Sequence, residues 1–257
     1  MFGFIGDIFT IILYQPLFNG LVLIYNYLPW HDFGLAIILL TIGIRIILYP
    51  LSVKALNSQM KLQKLQPQIK AMQEKYKNDK EKQAKETLEI YRKEKINPFS
   101  GLLLALVQLP ILIALYQVFW NGLKPGELVD NLYRFVMNPG LIDPMFLGAL
   151  DLSKPWLMFA LVAGAVQFFQ TKMLIPSRSK GAPKADDMAT IMQTQMVYVM
   201  PLLTVVILFR LPSALGLYWI VSGLISIVQQ YFILRKHNDD QPKWCRKCKS
   251  GGGWISA

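Results

Sequence analysis

Apolar side chains run almost unbroken through five stretches of this chain, 33–50, 99–120, 156–174, 191–209 and 213–234, with charged residues collected in blocks between them. Each stretch holds 18–22 residues, close to the ~20 that a helix needs to cross a ~30 Å hydrocarbon core. The pattern predicts five membrane-spanning helices. An earlier apolar stretch, 5–28, is interrupted by Asp7, Gln15, Pro16, Asn19, Gly20 and Asn26. It reads as an amphipathic helix lying in the outer interface, with a sixth span turning back at 29–32 as the other option. It has neither the basic start nor the small-residue cleavage site of a secretory signal.

The polar block between the first two stretches has its own period. Leu62, Leu65, Ile69, Met72 and Tyr76 recur at offsets of three and four, which predicts a helix with one apolar stripe. A second, polar helix follows from about Glu81 to Lys95, with the turn at 77–80, so 54–96 reads as a helical hairpin. Pro67 should kink the first of these helices rather than abolish it.

Composition agrees with a membrane protein. The 257 residues are 53% hydrophobic and 17% charged, against about a quarter charged in a soluble domain. The net charge of +11 is local rather than general, so it gives no reason to expect nucleic-acid binding. Lys and Arg number 12 in 51–98, 4 in 172–190 and 6 from Arg235 onward, against 4 on the opposite side of the spans. This asymmetry predicts that the hairpin and the C-terminus face the cytoplasm, where they would lie near anionic lipid. In the tail, Cys245 and Cys248 form one C-x-x-C pair. A structural zinc site needs four ligands, so the pair reads as two reduced thiols in a disordered basic segment.

Arg45 is the exception to the segregation of charge. It is the first basic residue of the chain and lies inside an apolar run, and none of the five runs contains Asp or Glu. Burial of an arginine at such depth costs about 2.5–3.5 kcal/mol on insertion scales, so it should face a wet cavity. Thr41 and Ser52 fall on its helix face, and other runs supply polar faces to match. These are Gln108 in the second, Gln167 and Gln170 with Thr171 in the third, and Trp219, Ser222, Ser226, Gln229 and Gln230 in the fifth. The two serines also suit close helix packing, and the glutamines suit interhelical hydrogen bonds. In the fourth run Met188, Met192, Met196 and Met200 recur every four residues. Methionines at that spacing fill an irregular core or present an adaptable apolar surface to varied partners. There is no Gly-rich phosphate loop, no H-E-x-x-H and no intramembrane carboxylate pair, so neither an enzyme, a cofactor nor a metal site is expected.

Several short motifs occur in a fixed order. They are Thr41-Ile-Gly-Ile-Arg45, Tyr49-Pro50-Leu51, Leu65-Gln66-Pro67, Asn97-Pro98, Gln108-Leu109-Pro110, Met200-Pro201, and 211–219 with its Leu-Pro-Ser-Ala-Leu-Gly-Leu-Tyr-Trp, leading to Gln229-Gln230. Together they resemble the YidC membrane-protein insertases. The resemblance implies five core helices around a hydrophilic groove, open to cytoplasm and lipid and sealed from outside. It implies that Arg45 lies in that groove, that Thr41 and Trp219 match positions supporting substrate insertion, and that the cytoplasmic hairpin is needed for activity. Leu102 and Leu104 stand where the family often has Cys and Pro. The large periplasmic domain of some members is absent, and the basic tail is short.

The expectation is thus an all-α polytopic membrane protein with an N-terminal interfacial helix (1–32), a five-span core with its cytoplasmic hairpin (33–234) and a basic tail (235–257). Its expected work is to move short hydrophilic tails of nascent membrane proteins across a bacterial plasma membrane without ATP. Arg45, Thr41, Ser52, Gln108, Gln167, Gln170, Trp219, Ser222 and Ser226 are the expected groove, and Met192, Met196 and Met200 the apolar client contacts. Nascent membrane proteins are the expected partners, with the Sec translocon, the ribosome or the signal recognition particle pathway, and anionic lipid as further ones. The rival reading is a small transporter or channel that uses Arg45 as an anion site. Transporters commonly carry internal repeats, and none is seen here.

Overall fold

The computed structural model describes residues 2–77, 79–94, 100–121, 131–174 and 188–239. The chain begins with α1 (Phe2–Phe9), a π-helical turn (Thr10–Tyr14) and α2 (Gln15–Tyr27). Pro16 explains the widened turn: it has no N–H, and its ring collides with the carbonyl four residues back, so the ladder passes through an i→i+5 bond from Gln15 N to Thr10 O. The interruptions in 5–28 do not break the segment. Gly6–Tyr27 is continuous, and long and apolar enough to cross a membrane.

α3 (Phe33–Ile47) is shorter than the expected run 33–50. It stops at Leu48 because Pro50 disfavours continuation, and Pro50 then sits in the first turn of α4 (Tyr49–Lys75), where its missing N–H costs nothing. The two axes meet at 62°. α4 continues unbroken through Pro67, and α5 (Lys80–Lys93) returns against it after a turn capped by Asp79, whose carboxylate accepts from Lys82 N at 3.1 Å. The buried face of α4 starts earlier than the stripe at 62–76, at Ser52, Ala55, Leu56 and Met60, and ends at Leu65. α6 (Ser100–Asn121), α7 (Leu157–Leu174), α8 (Met188–Leu208) and α9 (Ser213–Asp239) are the remaining long helices among the described residues. Gly6–Tyr27, Leu157–Leu174 and Ser213–Arg235 are each long and apolar enough to span alone; α3 and α4 form a bent pair, and α6 and α8 contribute the shorter apolar helices Leu106–Trp120 and Val197–Leu208.

Four helices divide in the same way along their length. Toward one end of the bundle they bury Phe33 and Ile37 (α3), Leu115 and Phe119 (α6), Ala160 and Ala163 (α7), and Ala214 and Leu215 (α9). A short hairpin caps this end, with strands β1 (Met145–Phe146) and β2 (Leu150–Asp151) paired antiparallel. Phe146 lies on Gly34, where a Cβ would come within 2.1 Å of its ring. Asp32 caps α3 by accepting from Leu35 N at 2.8 Å and also accepts from Leu147 N at 2.5 Å. Asn19 donates to Asn131 O (2.9 Å) and accepts from Tyr133 N (2.7 Å), while Asn26 donates to Met137 O (2.7 Å). These asparagines, polar breaks in the sequence pattern, are the clamps that hold 131–143 to α2. Ser213 closes the ring by accepting from Trp156 N and donating to Lys154 O. Asp151 is held below the usual carboxylate range by the Ser153 hydroxyl and the Lys154 ammonium, so its own bonds to those two residues persist at neutral pH and weaken as acid protonates the lowered carboxyl.

Gly164 sets the distance between α7 and α8. A Cβ there would stand 2.4 Å from Val205 Cγ2 and 3.3 Å from the Pro201 carbonyl. Gly164→Val should therefore cost about 1–3 kcal/mol by overpacking. At about 2–4 °C per kcal/mol for a chain of this size, the midpoint of thermal unfolding in detergent should fall by several degrees. An unchanged midpoint would show that the two helices separate freely there.

Candidate functional site

Beyond the dry half, the same helices turn polar. A cavity of about 420 Å³ opens among α3, α4, α6, α7 and α9, and among the described residues its lining contains no Asp or Glu. The division is visible within single helices: α7 passes from Ala160 and Ala163 to Gln167, Gln170 and Thr171, and α9 from Ala214 and Leu215 to Tyr218, Ser222, Ser226, Gln229 and Gln230.

Arg45, on the last turn of α3, reaches across to α9. Its Nε donates to Ser222 Oγ at 2.8 Å, and Nη2 donates to the same oxygen. One hydroxyl thus takes two of the five guanidinium N–H groups, and among the described residues no carboxylate pairs with the cation. On the neighbouring wall Gln108 donates from Nε2 to the Tyr218 hydroxyl. Two acceptors, Gln167 Oε1 and Gln230 Oε1, are buried without a protein partner. An unpaired buried amide oxygen costs about 1–3 kcal/mol unless something donates to it. The cavity therefore offers a cation with N–H groups to spare, and free acceptors beside it.

Of the residues singled out in sequence, Arg45, Ser52, Gln108, Gln167, Gln170, Trp219, Ser222 and Ser226 all line this cavity. Thr41 does not. It is 1% exposed and donates its hydroxyl to Ile37 O at 2.7 Å, one turn back in the dry half of α3. Met200 is half-exposed on α8, away from the cavity. The side chains of Met192 and Met196, like Cys245 and Cys248, lie outside the described residues. Tyr218 was not anticipated, although it stands four residues before Ser222 on the polar stripe. The α4 wall also carries Leu56, and Gln63 donates from Nε2 to Leu174 O, joining the hairpin to the end of α7.

Residues 23–241 match the family described as 60Kd inner membrane protein. A relative from Fusobacterium nucleatum, named membrane protein insertase YidC, is 38% identical over 205 residues, covering 80% of this chain and 87% of the relative. Proteins of the same name from Syntrophobacter fumaroxidans and Lawsonia intracellularis are 37% and 32% identical over 86% and 88% of this chain. The chain spans 37% and 39% of their respective lengths. A mostly helical bundle with apolar helices of membrane length, and a match over most of the chain, place this bacterial membrane protein in the YidC family.

Proposed function

We propose that this protein inserts nascent membrane proteins, and that the cavity around Arg45 receives the hydrophilic segment that must cross. The observation that carries the reading is an arginine in an apolar bundle that, among the described residues, has a single hydroxyl as hydrogen-bond partner and no carboxylate in its cavity. Such a site lowers the cost of an acidic or polar tail entering the membrane, since it supplies charge and hydrogen bonds where hydrocarbon supplies neither. The tail then has only the dry half, closed by the β-hairpin end, left to traverse. Partition of the client's apolar segment into lipid, at about 25 cal/mol per Å² buried, drives its release without ATP. A membrane potential positive outside adds about 2.3 kcal/mol per negative charge per 100 mV moved outward.

In this reading five helices span, the cavity opens to the cytoplasm, and the α4–α5 hairpin and the C-terminus lie on that side, as the asymmetry of 22 against 4 basic residues supports. Trp219 and the methionines of α8 meet the client's apolar segment. Thr41 acts indirectly, through the packing of α3 behind Arg45. The length and apolarity of Gly6–Tyr27 suit a sixth span as well as the interfacial helix expected from its polar interruptions. The hairpin and basic tail are the surfaces available to a ribosome or a translocon.

The test is reconstitution of the purified chain alone into liposomes, followed by addition of a single-span client with a short acidic tail. Protease protection of that tail should require the protein and be indifferent to ATP. Equal protection in protein-free liposomes, or strict dependence on a nucleotide, would overturn the proposal.

A further inference from the structure

At the β-hairpin end, the segment from Phe135 to Leu141 displays apolar side chains outward, with Phe135 74%, Met137 81% and Leu141 73% exposed. These are not residues that failed to find the core. Val136 and Ile142 of the same segment turn inward and are buried, so inward and outward positions are both apolar. Nor can the loop fold its outward side chains away. Asn26 holds it at Met137 O, and Tyr25 accepts from Asp143 N at 3.2 Å on its far side. Residues 135–142 carry no charge, with Arg134 and Asp143 at the borders.

What covers this face is indicated by its neighbours. Tyr27 closes α2 and is 83% exposed, Trp30 in the following turn is 80% exposed, and Trp156 and Trp120 mark the start of α7 and the end of α6. Leu147 N donates to Asp32 at the start of α3, Ala214 N and Ser213 tie the start of α9 to Leu152 and Lys154 beside the β-hairpin, and Phe119 of α6 meets Phe33 edge-on, so these helix ends lie at one end of the bundle. Exposed Trp and Tyr at the common end of several apolar helices form the belt found where hydrocarbon meets headgroups. The apolar loop continues that belt.

We infer that residues 135–141 form a lipid-seated wedge, inserted among the headgroups and upper acyl chains of the leaflet at this end. Its partner is lipid rather than water or protein. The wedge fixes the bundle's depth: Arg45 stands 12 residues beyond Phe33, about 18 Å along α3. A ~30 Å hydrocarbon core then places the guanidinium past the midplane, in the far half. The inference rests on the bundle crossing a bilayer, as proposed above. Its test uses no client, so a failed insertion assay and a failed depth assay are separate results.

Single cysteines at Phe135, Met137 and Leu141, in full-length protein carrying Cys245→Ser and Cys248→Ser, would each be labelled with an environment-sensitive fluorophore. The labelled proteins go into phosphatidylcholine–phosphatidylglycerol vesicles, with or without bromine on the upper acyl chain. At least twofold quenching by the brominated lipid, with little quenching by aqueous iodide, is expected at two or more of the three sites. Quenching by iodide but not by brominated lipid would put the loop in water and overturn the wedge. Protection from both quenchers would mean that another copy of the chain covers the loop, and would overturn it equally.

Discussion

Arg45→Ala should reduce insertion of clients with acidic translocated tails at least tenfold, while clients with neutral tails lose far less. Two charges about 4 Å apart at an effective dielectric near 20 interact by about 4 kcal/mol, and a third of that is already tenfold. Arg45 is free to provide it, because its only hydrogen-bond acceptor among the described residues is the neutral Ser222 hydroxyl. Arg45→Lys should keep much of the activity, since an ammonium retains the charge but can place fewer donors on Ser222. Ser222→Ala tests the other half of the arrangement. It releases the guanidinium and should leave preference for acidic tails in place, because it removes a tether and not the charge. The measurement is the protected fraction of matched clients, differing only in tail charge, in the purified liposome system. Equal losses for acidic and neutral tails in Arg45→Ala would remove charge attraction from the mechanism and leave Arg45 a packing role.

The cavity was legible in the sequence to the extent that its residues cannot satisfy themselves. Arg45 and the glutamines need partners beyond their own helix turn, so their three–four spacing on apolar runs pointed to a shared polar space. Hydroxyl residues carry no such information. Thr41, Ser52 and Ser226 each donate to the carbonyl four residues back, which satisfies the hydroxyl wherever it lies. Ser52 and Ser226 line the cavity and Thr41 is packed in the dry half; nothing in their spacing separates the cases. Nothing in the spacing distinguishes Tyr218, whose hydroxyl matters only once Gln108 is beside it. The break at Leu48 follows from Pro50 and was readable from that proline, although the apolar run reads on unbroken to residue 50. The roles of Asn19 and Asn26 were not, because their partners lie more than a hundred residues away and periodicity reports only local faces.

That difference between hydroxyls sets up an all-or-none labelling contrast. Single cysteines at Ser226, Gln170 and Gln229 should react with a membrane-impermeant thiol reagent supplied from the side on which the cavity opens, expected to be the cytoplasm. Thr41 should stay unreacted, because its side chain packs among apolar residues of the dry half and is 1% exposed. Cys245→Ser and Cys248→Ser are needed as background, since tail thiols would react first, and Leu106, exposed on the apolar part of α6 and expected to face lipid, serves as a negative control for reagent entering through the bilayer. A charged Arg45 is costly in hydrocarbon unless water reaches the cavity, and reagent access reports that water directly. Reaction at Thr41 equal to that at Ser226 would mean that the dry half opens and that the wet region extends toward the β-hairpin. Reaction of all sites from the opposite side would reverse the orientation argued from the basic residues. Protection of all sites from both sides would leave Arg45 buried against Ser222 without water, and the cavity would then be a structural joint between α3 and α9 rather than an entrance for clients.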